Sequence, residues 1–129
     1  MKVPFKTDLT GKTAIVTGGS GTLCSAIAYG LAVSGAKIAL IGRRLDKLQE
    51  VTGDMTAKAE REYGKKVIVK GYSCDVTDKI GLVQVYEIIK RELGSCDILI
   101  NGAGGNQPGA ITSIEALEKE KGVDDYSFW

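Results

Sequence analysis

The sequence lacks the residues from which most metal sites are built. Its 129 residues include no histidine, and the three cysteines do not have the paired spacing of zinc ligands. We therefore expect no metal site. We interpret Cys24, Cys74 and Cys96 as buried free thiols of a reducing, cytoplasmic compartment.

A strong excess of one charge and a long apolar run are absent as well. Lysine and arginine number 17 against 16 acidic residues and are scattered among them, which excludes a basic surface for nucleic acid. The first ten residues have no apolar signal-peptide core, and no window approaches the length of a membrane span. The 43% of hydrophobic and 26% of charged residues are typical of one soluble domain.

Short apolar runs alternate along the chain with longer segments of helical periodicity. The runs at residues 12–17, 37–41, 66–71 and 97–101 predict strands, and residues 73–76 predict the turn after the third strand. Helices are predicted at 21–34, at 45–63 with Gly53 as a weak point, and from a cap at Thr77 or Asp78, the last with a face formed by Leu82, Tyr86, Ile89 and Leu93. A weaker helical signal follows at 112–121. This order predicts an α/β fold, a doubly wound parallel sheet of Rossmann type with spatial strand order 3-2-1-4.

The first predicted strand leads into a glycine-rich turn and then into a helix of small residues. Gly18 and Gly21 let the backbone approach a pyrophosphate, and the hydroxyls of Thr17 and Ser20 can donate hydrogen bonds. Free N–H groups at the helix start favour an anion there. A purely structural turn is the alternative, but the flanking strand and helix favour a nucleotide. The candidate residues are Thr17, Gly18, Gly19, Ser20, Gly21, Thr22 and Leu23, followed by Cys24, Ala28 and Gly30, whose small size lets the helix lie near the sheet.

Three segments together resemble the short-chain dehydrogenase/reductase family, over nearly the whole chain. Residues 17–24 (TGGSGTLC) resemble the cofactor loop, 74–77 (CDVT) the adenine-contacting turn, and 101–104 (NGAG) the motif usually written NNAG. Thr22 and Cys24 stand where the commoner pattern TGxxxGxG has glycines, and Gly102 replaces the second asparagine. The spacing TGxxGxxG of the extended branch fits better, with Cys24 at its last glycine. The resemblance implies an oxidoreductase that uses NAD or NADP to interconvert a carbonyl and a secondary alcohol.

The end of the second predicted strand bears on the choice between NADP and NAD. An NAD site needs an Asp or Glu here for the ribose 2′-hydroxyl, whereas an arginine suits the 2′-phosphate of NADP. Gly42 leaves no acid, so we predict NADP, held by Arg43 or Arg44, with NAD as the alternative. Solvated arginines at a helix start are the other interpretation. The resemblance also implies that adenine lies at Asp75 and Val76, and that the nicotinamide-side ribose lies along Asn101, Gly102, Ala103 and Gly104.

The family's catalytic serine, tyrosine and lysine find no fitting match. Tyr86 and Lys90 have the YxxxK spacing with Ser73 upstream, but they fall in a crossover helix, and Ser73 ends an outer strand away from the expected nicotinamide. We interpret this match as coincidence and Tyr86 as a packing residue. The resemblance thus implies that residues 1–129 are the dinucleotide-binding portion of a truncated Rossmann domain, with the later strands and the catalytic half absent. Such a chain is expected to bind a cofactor without turning it over, and either to self-associate through its fourth strand or to be only marginally stable. The parent protein is expected to be a homo-oligomer.

The substrate is the least constrained part of the prediction. The run from Asn101 to Pro108 and the Leu23-Cys24 pair resemble the D-mannonate oxidoreductase, or fructuronate reductase, branch, which implies a sugar acid as the carbonyl or hydroxyl substrate. Two other functions stay open: a non-catalytic nucleotide-binding or sensing protein, and an S-adenosylmethionine methyltransferase, which Gly42 disfavours. Residues that can reach a substrate, or serve only as polar loop residues, are Asn106, Gln107, Thr112 and Ser113.

Overall fold

A parallel sheet of four strands with three helices is seen in the computed structural model, which describes residues 7–104. The elements are β1 (Thr13–Thr17), α1 (Thr22–Val33), β2 (Lys37–Gly42), α2 (Leu45–Tyr63), β3 (Val69–Ser73), α3 (Lys79–Glu92) and β4 (Ile98–Asn101). The strand order is β3-β2-β1-β4, which confirms the predicted Rossmann-type topology. The predicted helix at 112–121 lies outside the described residues.

The register of the sheet aligns the carboxyl ends of its strands. Thr17 at the end of β1 pairs with Ile41 of β2 on one side and with Asn101 of β4 on the other. Gly42 pairs in turn with Ser73 at the end of β3. The loops that follow all four strands therefore leave the sheet at one edge, where ligands of open α/β sheets bind.

The helices cover both faces of the sheet. One face packs against α1 and α2 in a buried cluster that includes Val16, Leu40 and Leu48, and the other packs against α3 through Ile15 and Ile89. All five residues of β1 are buried, as expected for a central parallel strand. A sheet that is packed on both faces is a rigid support for the loops at its carboxyl edge.

Small side chains bring α1 close to the sheet, although one expected position differs. The buried residues of α1 are Cys24, Ala28 and Ala32. Gly30 is exposed, and a Cβ atom built on it meets nothing within 4 Å. The prediction for Gly30 was therefore wrong, because the helical repeat turns residue 30 to solvent and residue 32 to the sheet.

The third strand begins and ends later than predicted. β2 begins at Lys37, and its Ile38 pairs with Val69, so residues 66 and 67 extend past the start of β2. At the other end Tyr72 and Ser73 remain paired with β2, although the sequence had suggested a turn at Ser73. Hydrophobicity alone misplaced this strand because it lies at the edge of the sheet and is only half-buried.

Three smaller expectations are settled by the helices and the cysteines. α2 continues through Gly53, and the Asp78 side chain caps α3 by accepting from Gly81 N–H at 3.0 Å.

The inward line of α3 is Leu82, Val85, Ile89 and Leu93, whereas Tyr86 is 37% exposed, so its assignment as a packing residue was wrong. The three cysteines are free, as expected, but Cys96 is only half-buried.

Apolar side chains remain exposed near the β4 edge of the sheet. Among residues 7–104, β4 pairs only with β1, and Leu99 is 56% exposed. None of the helices in that range is both long and apolar enough to cross a bilayer. Unpaired backbone groups beside an apolar side chain form a surface to which a second strand can add.

We predict that the 129-residue chain self-associates through β4. Leu99→Lys should shift sedimentation towards the monomer, because a lysine on an edge strand opposes edge-to-edge pairing. Ile80→Lys is the matched control, since Ile80 is 74% exposed on α3. A wild-type chain that sediments as a monomer at high concentration, or an equal effect of both lysines, would contradict the prediction.

Candidate functional site

The two glycine-rich turns lie against each other at the carboxyl ends of β1 and β4. Gly18 has a φ of +68°, and a Cβ atom built on it would lie 2.7 Å from the carbonyl oxygen of Gly102 and 2.9 Å from the amide nitrogen of Ala103. A side chain at residue 18 would therefore be strained and would push the turns apart. This contact is with the second turn, and the predicted approach of Gly18 to a pyrophosphate stays a prediction.

Gly19 has a steric role that the sequence did not indicate. A Cβ atom built on it would lie 2.8 Å from Cβ of Leu40, and its amide donates to the Ile41 carbonyl oxygen at 3.2 Å. Gly21 has an ordinary φ of −77°, and its Cβ would lie 3.3 Å from the Gly18 oxygen. Within this turn a Cβ atom is thus most crowded at residues 18 and 19, while the predicted approach of Gly21 to a pyrophosphate stays a prediction.

The Thr17 hydroxyl joins the two turns. Its Oγ1 accepts from the amides of Gly102 at 3.0 Å and Ala103 at 3.1 Å, and it donates to the carbonyl oxygen of Ile100 at 3.4 Å. The sequence had suggested that this hydroxyl donates to a phosphate. Because Thr17 is buried, its hydroxyl instead makes its hydrogen bonds within the protein. Ser20 is exposed.

Within residues 7–104, the first amides of α1 have no side-chain acceptor. Gly21 is the N-cap and makes no side-chain hydrogen bond, and the first turn contains no acidic residue. The amides at the start of α1, from Thr22 to Cys24, thus point beyond the helix at the positive end of its dipole. Ser20, Gly21, Thr22 and Leu23 are exposed around them, and Leu23 is 72% exposed. This end of α1 is suited to an anion such as phosphate.

The two arginines after β2 differ in their surroundings. Arg44 forms an exposed ion pair with Asp46, with 2.9 Å between Nη2 and Oδ2. No ion pair involves Arg43 within the described range 7–104. The backbone of Arg43 is fixed, because Ser73 Oγ donates to its carbonyl oxygen at 3.0 Å. Of the two arginines, Arg43 is therefore the one without an ion pair in this range.

The turn after β3 is held by the Asp75 carboxylate. Its Oδ1 accepts from the Thr77 amide at 2.9 Å and from the Thr77 hydroxyl at 2.7 Å, and these hydrogen bonds lower the pKa of Asp75. Burial raises the pKa of the neighbouring Cys74 thiol, and Asp78 and Asp75 add to this shift. Asp75 is therefore ionised at neutral pH, and Cys74 is a protonated packing residue.

The YxxxK match lies on a helix rather than at the two glycine turns. Tyr86 and Lys90 are exposed on α3, which covers the face of the sheet opposite to α1. Within the described residues, no three His, Cys, Asp or Glu side chains come together as metal ligands. The substrate candidates Asn106, Gln107, Thr112 and Ser113 lie outside those residues.

The sheet order and the two interlocked turns define a nucleotide-binding protein of the Rossmann class. The chain belongs to the short-chain dehydrogenase family, whose model matches residues 12–125. The family predicted from the three sequence motifs is thereby confirmed.

Several relatives indicate which members of the family the chain resembles. It is 44% identical over 117 residues to the uncharacterised oxidoreductase UxuB of Bacillus subtilis, covering 91% of this chain and 40% of that protein. A structure from Haemophilus influenza, provisionally described as a D-mannonate oxidoreductase with bound NAD, is 35% identical with a TM-score of 0.65, covering 84% of this chain and 36% of that one. L-Sorbose reductase of Gluconobacter frateurii, in complex with NADPH and L-sorbose, is 32% identical with a TM-score of 0.68, covering 86% of this chain and 41% of that one. The chain spans about two fifths of the length of such relatives.

The contact between the turns predicts a large effect of Gly18→Ala. A positive φ and overpacking against Gly102 should together lower the free energy of unfolding by about 2–4 kcal/mol. Gly53→Ala is the control, since Gly53 lies in the exposed middle of α2 and a Cβ there meets nothing within 4 Å. That change should raise stability by about 0.5–1 kcal/mol. Urea denaturation measures both, and equal effects would contradict the geometry.

Proposed function

We propose that this chain is the dinucleotide-binding portion of an NAD(P)-dependent oxidoreductase that interconverts a carbonyl and a secondary alcohol. The observation that carries the proposal is the uncapped start of α1 beside the two interlocked glycine turns. The amides there suit a pyrophosphate in charge and in geometry. The relatives of known structure that contain NAD or NADPH support this assignment.

The proposed cofactor lies across the carboxyl ends of the strands. Its pyrophosphate would sit at the amides that begin α1, and its nicotinamide-side ribose along Asn101, Gly102, Ala103 and Gly104. Its adenine would sit beside Asp75 and Val76. The ionised Asp75 carboxylate has one oxygen committed to Thr77, which leaves Oδ2 to accept from the adenine amino group.

NADP is the proposed cofactor, and Arg43 is the proposed partner of its 2′-phosphate. Gly42 offers no carboxylate to a free 2′-hydroxyl and no negative charge to repel a phosphate. Arg44 forms an ion pair with Asp46, whereas Arg43 forms no ion pair within residues 7–104, and its charge helps to lower the pKa of Asp75. An arginine guanidinium recognises phosphate through paired hydrogen bonds, which favours Arg43 for this role.

The reaction itself is assigned to the parent protein rather than to this chain. NADPH would supply the hydride, but Tyr86 and Lys90, which match the family's spacing, lie on α3, on the face of the sheet opposite to α1. The names of the relatives suggest a sugar acid or another polyhydroxy carbonyl compound as the substrate. A non-catalytic nucleotide-binding protein is the second candidate, favoured by the same separation of Tyr86 and Lys90 from the site.

Cofactor titration tests the proposed role of Arg43. We expect NADP to bind more tightly than NAD, and Arg43→Ala to weaken NADP binding by roughly 10- to 100-fold, because a charge-assisted contact to phosphate is lost. NAD binding should change little. Arg44→Ala is the matched control and should affect NADP less, since Asp46 already holds that side chain. Equal losses in the two variants, or equal losses of NADP and NAD in Arg43→Ala, would contradict the assignment.

Binding and turnover are separable for this chain. We expect it to bind NADPH but not to consume it with L-sorbose, nor to reduce NADP with D-mannonate, because Tyr86 and Lys90 lie on α3, away from the proposed site. Dinucleotide absorbance measures the reaction, and fluorescence titration of the same sample measures binding. Turnover would overturn the claim that this chain does not catalyse, and absence of binding would overturn the proposed function.

A further inference from the structure

Cys24 and Gly102 occupy one shared volume between α1 and the turn after β4. A Cβ atom built on Gly102 would lie 1.9 Å from Sγ of Cys24, 2.8 Å from the carbonyl oxygen of Thr17 and 3.4 Å from Cβ of Cys24. Cys24 is 8% exposed. The sulfur therefore fills the space that any side chain at residue 102 would need.

The turn after β4 is held from three directions at Gly102. The Thr17 hydroxyl accepts from the Gly102 amide, and the backbone of Gly18 packs against the Gly102 carbonyl. The third contact is the Cys24 sulfur, which limits movement of the turn towards α1. Two of these contacts come from β1 and its turn, whereas the third comes from Cys24 in the first turn of α1.

We infer that Cys24 is a positioning residue that sets where the turn of residues 101–104 lies relative to the start of α1. This inference rests on the proposed function, in which these two elements hold the nicotinamide-side ribose and the pyrophosphate. It also connects two departures from the family pattern, a cysteine at a glycine position and a glycine at an asparagine position. Because these residues touch, the two departures compensate each other: the side chain gained at residue 24 fills the space left by the side chain lost at residue 102.

Cys24→Ala tests the positioning role by comparing its effect on the affinities for two ligands, NADP and 2′,5′-ADP. Loss of the sulfur leaves the turn freer to move, so NADP affinity should fall by about threefold or more. Affinity for 2′,5′-ADP, which lacks the nicotinamide half, should not change. A purely structural role would weaken both ligands or neither, and either result would overturn the inference.

A double-mutant cycle tests the shared volume independently of any ligand. Gly102→Ala should lower the thermal midpoint and weaken NADP binding by roughly 10- to 100-fold, because its Cβ overlaps Sγ. Cys24→Ala/Gly102→Ala should regain part of the thermal midpoint and of the NADP affinity lost in Gly102→Ala. Recovery should be incomplete, since the Thr17 oxygen still lies 2.8 Å away.

The two proposals fail in different ways. If Gly102→Ala is equally damaging in the wild-type chain and in the Cys24→Ala variant, the shared volume is wrong whatever the chain binds. If the wild-type chain binds neither NADP nor 2′,5′-ADP, the proposed function fails, while the thermal midpoints still measure the contact between residues 24 and 102.

Discussion

The hydroxyl of Thr17 joins two turns that are 85 residues apart in sequence and that must meet for the site to exist. It can do so because Thr17 ends a strand that is buried along its whole length and pairs directly with Asn101. The amides of Gly102 and Ala103 reach the same oxygen, and Gly18 then packs against the Gly102 carbonyl. A partly buried amide without an acceptor costs free energy, so this one oxygen stabilises the whole carboxyl edge of β1 and β4.

The topology could be predicted from the sequence because it depends on local strand and helix patterns and on the right-handedness of the crossover connections. Apolar runs bounded by glycines marked the strands, and right-handed crossovers left few sheet orders other than 3-2-1-4. β3 was placed too early for a physical reason. It is an edge strand whose last residues, Tyr72 and Ser73, belong to it through pairing with β2 and not through hydrophobicity. The facing of Gly30 and Tyr86 to solvent likewise depends on which side of each helix meets the sheet.

The candidate site could be predicted in place but not in detail. The glycine turn and the segment from Asn101 to Gly104 were both found by motif, and the sheet register explains why they meet. The roles of Gly19 against Leu40, of Thr17 against the second turn and of Cys24 against Gly102 could not be found, because each depends on the packing of atoms distant in sequence. A glycine pattern predicts where the backbone approaches another group closely, but which group it approaches is decided by the tertiary packing.

The two halves of the site are built differently, and this difference bears on how each can change. The two glycine turns are closely packed, so a single added carbon at residue 18, 19 or 102 meets another atom within 3 Å. The proposed adenosine side presents exposed side chains, namely Arg43, Arg44 and Asp75, and exposed ion pairs such as Arg44–Asp46 contribute little to stability. Substitutions that alter the preference between NADP and NAD should therefore be tolerated by the fold, whereas substitutions at the interlocked turns should not. The separation follows from β1, which is buried at the centre of the sheet and bears the turn contacts, while the arginines follow β2 on exposed backbone.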